Sequence, residues 1–290
     1  MPSPSDPSKP APAPPLSPSP PTHDPARLVI LPSYNSGPLL ARTARAVLAV
    51  WRPVWVVLDG STDASVGEIT ALARENDALR VIHLPRNSGK GAAVLAAMRA
   101  ALAAGYTHAL IMDADGQHPA AKIPEFITLS EQNPAAMILG VPVFGPDAPP
   151  ERVTGRRVGN GLAHCETLGG GIHDSLFGFR LYPLAPAVRI MDSIRTARRF
   201  DFDTELAVRL FWDGVQPLNR PVPVLYPPRE TGGVSHFKYV RDNLLLAGTH
   251  LRLCLLVLPR FWRVWKLRQR WHREAKASAF AVAPHSGPFI

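Results

Sequence analysis

From residue 27 onward the chain alternates short, unbroken apolar runs with longer stretches of helical period. Leu28-Val29-Ile30-Leu31 predicts a buried strand, a turn follows at Asn35-Ser36-Gly37, and a helix is expected near 38–50. Val54 to Leu58 predicts a second strand, ended by Asp59-Gly60-Ser61-Thr62-Asp63 and followed by a helix near 64–75. Arg80 to Leu84 reads as a third strand, 90–104 as an Ala-rich helix, and His108 to Met112 as a fourth strand. Apolar runs without polar alternation suit strands buried on both faces, so the pattern predicts an α/β domain with a mostly parallel sheet between two helical layers. Sheets of this kind bind ligands outside the carboxyl ends of their strands. The polar punctuation falls at those ends. Beyond residue 141 the pattern loosens into Pro-rich turns, the glycine run Gly169 to Gly171 and a helix expected near 203–213, with no internal repeat.

Composition narrows the classes. A chain of 290 residues that is 46% hydrophobic suits one large domain with tails. Its 2 cysteines, Cys165 and Cys254, lack neighbours at metal-ligand spacing, which argues against a zinc cluster or a disulfide framework. Residues 1–26 form a Pro/Ser/Ala leader unsuited to a packed core, and no apolar run there resembles a signal peptide. The net charge of +9 is concentrated near the C-terminus, where Arg241 to Lys276 holds nine basic residues against Asp242 and Glu274. No nucleic-acid-binding signature accompanies it, so no nucleic-acid partner is expected.

The candidate chemistry centres on Asp113-Ala114-Asp115-Gly116-Gln117-His118, directly after the fourth strand. Two carboxylates at i and i+2 can converge on one hard cation where the chain leaves the pleat, and Gln117 adds a neutral oxygen. Such a donor set suits Mg²⁺ or Mn²⁺, which would bridge a diphosphate and stabilise charge on a departing group. An isolated pair of this kind can equally be a solvated acidic turn. Gly89-Lys90-Gly91 does not fit a Walker loop, which needs glycine at Leu84 and Ser or Thr at Gly91. It reads instead as a glycine turn opening a helix, with Lys90 facing either a donor or solvent.

With these pieces in order, residues 28–118 resemble the nucleotide-binding half of family 2 inverting glycosyltransferases, in the branch containing the dolichol-phosphate mannosyl synthases. The resemblance rests on Leu31-Pro32-Ser33-Tyr34-Asn35, Asp59-Gly60-Ser61-Thr62-Asp63, Asn87-Ser88-Gly89-Lys90-Gly91 and Asp113 to Pro119. It implies the Rossmann-like GT-A fold, a nucleoside pocket lined by Pro32, Tyr34 and Asp59, and metal and diphosphate held by Asp113, Asp115 and Gln117, with Ala114 between them. Ser36 and Leu58 replace acids usual in the family, which leaves UDP and GDP both open as the donor nucleotide.

The second half extends the likeness. Ile172-His173-Asp174 with Gly178-Phe179-Arg180-Leu181-Tyr182 resembles the acceptor-side segment, implying Asp174 as the catalytic carboxylate and Arg180 as a residue that binds phosphate or orders the loop. A carboxylate there could deprotonate an acceptor hydroxyl; a phosphate acceptor is already ionised, with a second pKa of about 6, and needs only orientation. A buried structural Asp–Arg pair is the competing reading. Phe202-Asp203-Thr204-Glu205-Leu206 opens a helix with Asp203 or Thr204 as cap and Glu205 as a further acid. Arg229 and His236, around Gly233-Val234-Ser235-His236-Phe237, fall where relatives carry a basic loop over the diphosphate, with histidine in place of the usual lysine. Val141 to Gly145, the Asp174 segment and the Ser-His-Phe loop look most like transferases of aryl polyene pigment pathways.

Near the C-terminus Leu244 to Leu258 is apolar but interrupted by His250 and Arg252 and stopped by Pro259, short of the roughly 20 residues that span a bilayer. Arg260-Phe261-Trp262-Arg263-Val264-Trp265-Lys266 and Trp271 mix tryptophan with positive charge, the chemistry of a lipid headgroup interface. The alternative is a basic helix packed on its own domain or on a partner subunit.

The expectation is therefore a leader (1–26), a catalytic domain (27–239, divided at about 120 into nucleotide-sugar and acceptor halves), basic interfacial helices (240–275) and a loose tail (276–290). The expected activity is metal-dependent, inverting transfer from a UDP- or GDP-sugar to a lipid-linked acceptor such as polyprenyl phosphate, at the cytoplasmic face of a membrane. A catalytically silent membrane adaptor and a nucleotidyltransferase are the alternatives.

Overall fold

The computed structural model describes residues 26–145, 150–225 and 239–281. Seven strands form one sheet: β1 (Arg27–Ser33), β2 (Val54–Asp59), β3 (Leu79–Leu84), β4 (His108–Ile111), β5 (Met137–Val143), β6 (Arg180–Pro183) and β7 (Pro217–Pro223). Their spatial order is β3-β2-β1-β4-β6-β5-β7. All neighbours run parallel except β6, which is antiparallel to both β4 and β5.

The helices are α1 (Pro38–Leu48), α2 (Ser65–Arg74), α3 (Lys90–Ala103), α4 (Ile123–Gln132), α5 (Pro150–Glu166), α6 (Leu184–Ser193), α7 (Phe202–Asp213), α8 (Tyr239–Val257) and α9 (Phe261–Ala281). Period-2 strands with two buried faces explain the apolar runs. Leu28 and Ile30 of β1 join the core under α3, α6 and α7, whereas Val29 and Leu31 join the core under α1, α2 and α4. All seven residues of β1 are buried.

Pro32 lies inside this central strand without breaking it. Met112 makes the last backbone bond from the β4 side, to the carbonyl of Ile30. Pro32, two residues on, points to the side that β4 has already left, so its missing N–H costs no ladder bond. The same early departure of β4 releases Asp113 and Asp115 from the sheet.

The antiparallel course of β6 has a functional consequence. Arg180 pairs with Ile111, so the segment that leads into β6 arrives at the carboxyl ends of β1, β2 and β4. Residues from the second half of the chain thus reach the same edge as Asp59 and Asp113.

Pro259 does not end the C-terminal helical run. It sits in a single 3₁₀ turn, Leu258–Arg260, that joins α8 to α9. Arg241–Glu274 is consequently long and apolar enough to cross a membrane by length and composition, with a window of mean hydropathy 1.5. Its inner face nevertheless packs on the domain: Leu253, Val257 and Val264 are buried in the main core. Polar groups on that face also find buried partners. Thr249 donates to Asp201, Arg252 pairs with Glu205, and His250 Nδ1 lies 2.7 Å from Glu166 Oε1.

Candidate active site

Three strand-end loops are stitched together before any side chain faces solvent. Asp59, 3% exposed at the end of β2, accepts the amides of Ser88 and Gly89 through its two oxygens, each at 2.8 Å. Gly60, at φ 69°, allows the close approach: a β-carbon there would strike the backbone of Arg86 and Asn87. Asn35 bonds with Ser61 and Thr62, and Asp63 accepts the Gly37 amide at 2.9 Å. Ser36, the replacement for a family acid, shares a hydroxyl bond of 2.8 Å with Ser33. Of the residues expected to line a nucleoside pocket, Pro32 is buried in β1, Tyr34 is half-buried just beyond it, and Asp59 holds the turn that opens α3. Leu58 is buried in the core.

Gly89 ends that turn at φ 99°, and α3 starts at Lys90. The lysine does not face solvent. Its ammonium sits 2.6 Å from Asp113 Oδ1 and 3.0 Å from Asp203 Oδ2, with the side chain 10% exposed. Burial disfavours the charged amine, but the two carboxylates outweigh it and raise its pKa above the ordinary lysine value. Burial would likewise raise Asp113; Lys90, His118 and Arg180 overcome this and hold Asp113 below the usual carboxylate range. Asp203 keeps the raised pKa that burial imposes, only partly offset by Lys90 and Arg180.

His118 lies 3.7 Å from Asp113 Oδ2 and stacks on Phe177 with ring centroids 4.6 Å apart. Burial, opposed by Asp113 and assisted by Lys90 and Arg156, lowers its pKa to about 4, so it is neutral at physiological pH. Asp113, Gln117 and His118 line a cleft together with Phe144, Arg156, Phe177 and Gly178. Asp115 is half-exposed and accepts the Gln117 amide at 3.0 Å, and Ala114 is buried between the two aspartates.

Asp174 lies in the loop before β6, whose Leu176, Phe177 and Gly178 line the cleft. It is 2% exposed and accepts five hydrogen bonds. Arg156 Nη1 donates to both oxygens, Asn160 to Oδ2, and the amides of Leu176 and Phe177 to Oδ1. Arg180 is fully buried and donates to the carbonyls of Phe177, Asp174 and Asp203 and to the Tyr182 hydroxyl. These four bonds tie the loop before β6 to α7, in line with the loop-ordering role that was one of the two expected of Arg180. Thr204 and Asp203 lie inside the first turn of α7 and do not cap it: Thr204 donates to the Ser175 carbonyl and Asp203 faces Lys90. Glu205 is buried between Arg209 and Arg252, away from solvent. Arg229 and His236 lie outside the described residues.

The sequence reading missed Arg156, Asn160 and Phe177, and it quoted His118, Gly178 and Asp203 without this role. The i and i+2 acids were visible; the partners that α5 and α7 bring from elsewhere carry no local signal.

The donor set can be tested against a hard cation. Among the described residues no group of three or more His, Cys, Asp or Glu could by itself hold a metal. The oxygens of Asp113, Asp115 and Gln117 are nonetheless of the right kind, and the Lys90 ammonium already stands on Asp113 as a cation would. Residues of this number fit an ion that takes its remaining ligands from a diphosphate.

Comparison with known proteins agrees with this geometry. Residues 28–190 match the family model described as glycosyl transferase family 2. A polyprenol monophosphomannose synthase of Mycolicibacterium smegmatis is 30% identical over 214 residues, covering 71% of this chain and 78% of that protein. A dolichyl-phosphate beta-glucosyltransferase of Trichomonas vaginalis is 32% identical over 169 residues, 53% of this chain and 47% of that protein. Among solved structures, the glucosyl-3-phosphoglycerate synthase of Mycobacterium tuberculosis in complex with Mn²⁺, UDP and glucosyl-3-phosphoglycerate shares the fold. Its TM-score is 0.55 at 17% identity, over 79% of this chain and 80% of that one. The motifs at the strand ends, the sheet and these matches together place the chain in glycosyl transferase family 2, in the branch of the polyprenol- and dolichol-linked synthases, as an inverting glycosyltransferase.

Proposed function

We propose that the enzyme transfers a sugar from a UDP- or GDP-sugar to a lipid-linked acceptor, with polyprenyl phosphate the best candidate, in a reaction dependent on Mg²⁺ or Mn²⁺. The observation that carries this reading is the cleft that Asp113, Gln117 and His118 share with Leu176, Phe177 and Gly178 of the loop before β6. Two relatives are named for polyprenol and dolichyl-phosphate chemistry, and a structural neighbour was solved with Mn²⁺ and UDP. Both support the acceptor and cofactor classes.

In this reading Asp113, Asp115 and Gln117 would hold the cation, which when bound supplies Lewis-acid neutralisation of the diphosphate leaving group. Lys90 adds a fixed positive charge to the same side of the cleft. Asp59 orders the glycine turn so that Lys90 and the start of α3 point at the donor. Neutral His118 and Phe177 form an apolar, stacked wall that keeps water from the reacting carbon. Asp174, with five donors upon it, fixes the acceptor loop. That suits an ionised phosphate acceptor, which needs a position more than it needs a base.

The exposed apolar residues of α8 and α9 support a membrane-borne acceptor. Leu244, Leu251, Leu255, Leu258 and Trp262 are each at least 60% exposed. A donor screen with polyprenyl phosphate, read by product mass, tests the whole reading. The expected product is a hexosyl polyprenyl phosphate that EDTA abolishes. Full metal-dependent activity in Asp115→Asn would remove the metal assignment, and no product with any donor would remove the transferase reading.

A further inference from the structure

Lys90 poses a problem that the proposed chemistry does not solve. Its ammonium stands 2.6 Å from Asp113 Oδ1, so a divalent cation held by that carboxylate would lie beside it. A lysine and a divalent cation on one carboxylate repel each other. The ammonium therefore needs somewhere else to stand, near enough to keep its charge compensated in a buried place.

Asp203 is built for that. Its Oδ2 is 3.0 Å from the Lys90 nitrogen, and its Oδ1 is buried with no hydrogen-bond partner among the described residues. An orphaned carboxylate oxygen in the interior is costly, and it becomes satisfied if the ammonium moves further onto Asp203. The seat itself is rigid. Arg180 holds the Asp203 carbonyl at 2.6 Å, Thr204 is bonded to Ser175 at 3.0 Å, and Phe202 is pressed against Gly91, where a β-carbon would come within 2.6 Å of the Phe202 Cβ. Gly178 closes the opposite side: a β-carbon there would lie 2.7 Å from the Lys90 nitrogen. The side chain thus has one short path, between Asp113 and Asp203.

We propose that Asp203 is a positioning residue that receives the Lys90 ammonium when the divalent cation takes Asp113, so that Lys90 serves as the cation's stand-in in the empty site and as a fixed charge beside it in the loaded one. The inference rests on Asp113 being a ligand of the cation. Without Asp203 the ammonium has no second anion to move to, and it competes with the metal for Asp113.

The test is Mn²⁺ binding to the full chain in saturating UDP, followed by the free-ion electron paramagnetic resonance signal and so independent of turnover. Asp203→Asn, nearly the same shape, is expected to weaken Mn²⁺ binding about tenfold, the scale of one well-placed charge. Adding Lys90→Met to that variant removes the competitor and is expected to recover most of the loss. If Asp203 acts only as a nearby negative charge, Lys90→Met will tighten Mn²⁺ binding by the same factor in the wild-type background as in D203N, and the proposal fails; the proposal requires the larger gain in D203N. Unchanged binding in D203N also overturns it. Circular dichroism melting of each variant separates these results from loss of the fold, and the double variant keeps the comparison readable because it removes the buried pair together. A wild-type chain that binds no Mn²⁺ in UDP overturns the metal reading and this inference with it. Wild-type binding with an unaffected D203N overturns this inference alone.

Discussion

Arg156 Nη1 donates to both carboxylate oxygens of Asp174, at 2.8 and 3.0 Å, across 18 residues of sequence and from a different element. Arg156 also borders the cleft, with its guanidinium 5.7 Å from the Phe177 ring centroid. The pair therefore ties α5 to the acceptor loop at the point where an acceptor would enter.

Arg156→Met is expected to leave Asp174 with Asn160 and two amides and to let the loop shift. A displacement of about 1 Å near reacting atoms can cost on the order of 100-fold in rate, so kcat is expected to fall roughly 10- to 100-fold. Donor affinity is expected to stay within about threefold, because Arg156 does not touch the Asp59–Lys90 side. Steady-state kinetics with calorimetry on the donor checks the split. Arg156→Lys will rescue only partly, since an ammonium lacks the planar fork.

Gly178 faces Asp113 so closely that a β-carbon would collide with its Oδ2 and come within 2.8 Å of its Cγ. Gly178→Ala must push either the acceptor loop or the aspartate aside. Overpacking of this kind costs about 1–3 kcal/mol, which a domain of this size can absorb and remain folded. The expected result is a melting temperature lower by a few degrees and loss of metal-dependent donor binding, read by calorimetry with and without Mn²⁺.

His118 gives the site an acid limit. In the folded chain its pKa is lowered to about 4 from the ordinary 6.5, by burial first and then by Lys90 and Arg156 against Asp113. Between these values the unfolded chain binds a proton that the folded chain refuses, so stability falls as pH drops from 6.5 toward 4. The full loss over that window is about 3 kcal/mol at roughly 1.4 kcal/mol per pKa unit. Asp113, held below its ordinary 3.8, adds a loss in the same direction at still lower pH. Urea denaturation in EDTA at pH 7 and pH 4.5 measures the slope, and His118→Gln is expected to flatten it. An equal slope in the variant would assign the acid sensitivity elsewhere.

How much of this was legible follows the physics of each half. The strands β1, β2 and β4 announced themselves because both faces are buried and the apolar run is unbroken. Their ends could be read for the same reason: Asp59 and Asp113 stop the runs. The second half hid its sheet. β5 contains Gly140 and Pro142, β6 has four residues and begins with a buried arginine, and β7 carries three prolines, so none has the composition of a strand. The electrostatic contacts of the site were the least visible part. Lys90 and Asp203 are 113 residues apart, and only the packing of α3 on α7 brings them together. Pro259 looked like a helix terminator, yet a 3₁₀ turn carries the chain through it.

That continuity sharpens the membrane prediction. Leu244, Leu251, Leu255, Leu258 and Trp262 are spaced at seven, four, three and four residues, so they form one exposed stripe along α8 and into α9. The opposite face is committed to the domain through Thr249, His250, Arg252, Leu253 and Val257. A segment clamped on one side and apolar on the other suits lying along a bilayer surface more than crossing it, because crossing would pull Arg252 from Glu205 and His250 from Glu166. Burying a Leu or Trp side chain in the interface contributes roughly 1.5–3 kcal/mol. Leu251→Glu with Leu255→Glu is therefore expected to reduce sedimentation with phosphatidylglycerol vesicles by about 100-fold or more in affinity. Both residues point away from the core, so the melting temperature is expected to hold, and transfer to a short-chain, water-soluble acceptor is expected to continue. Vesicle binding that survives the double substitution would mean that this stripe meets protein and not lipid.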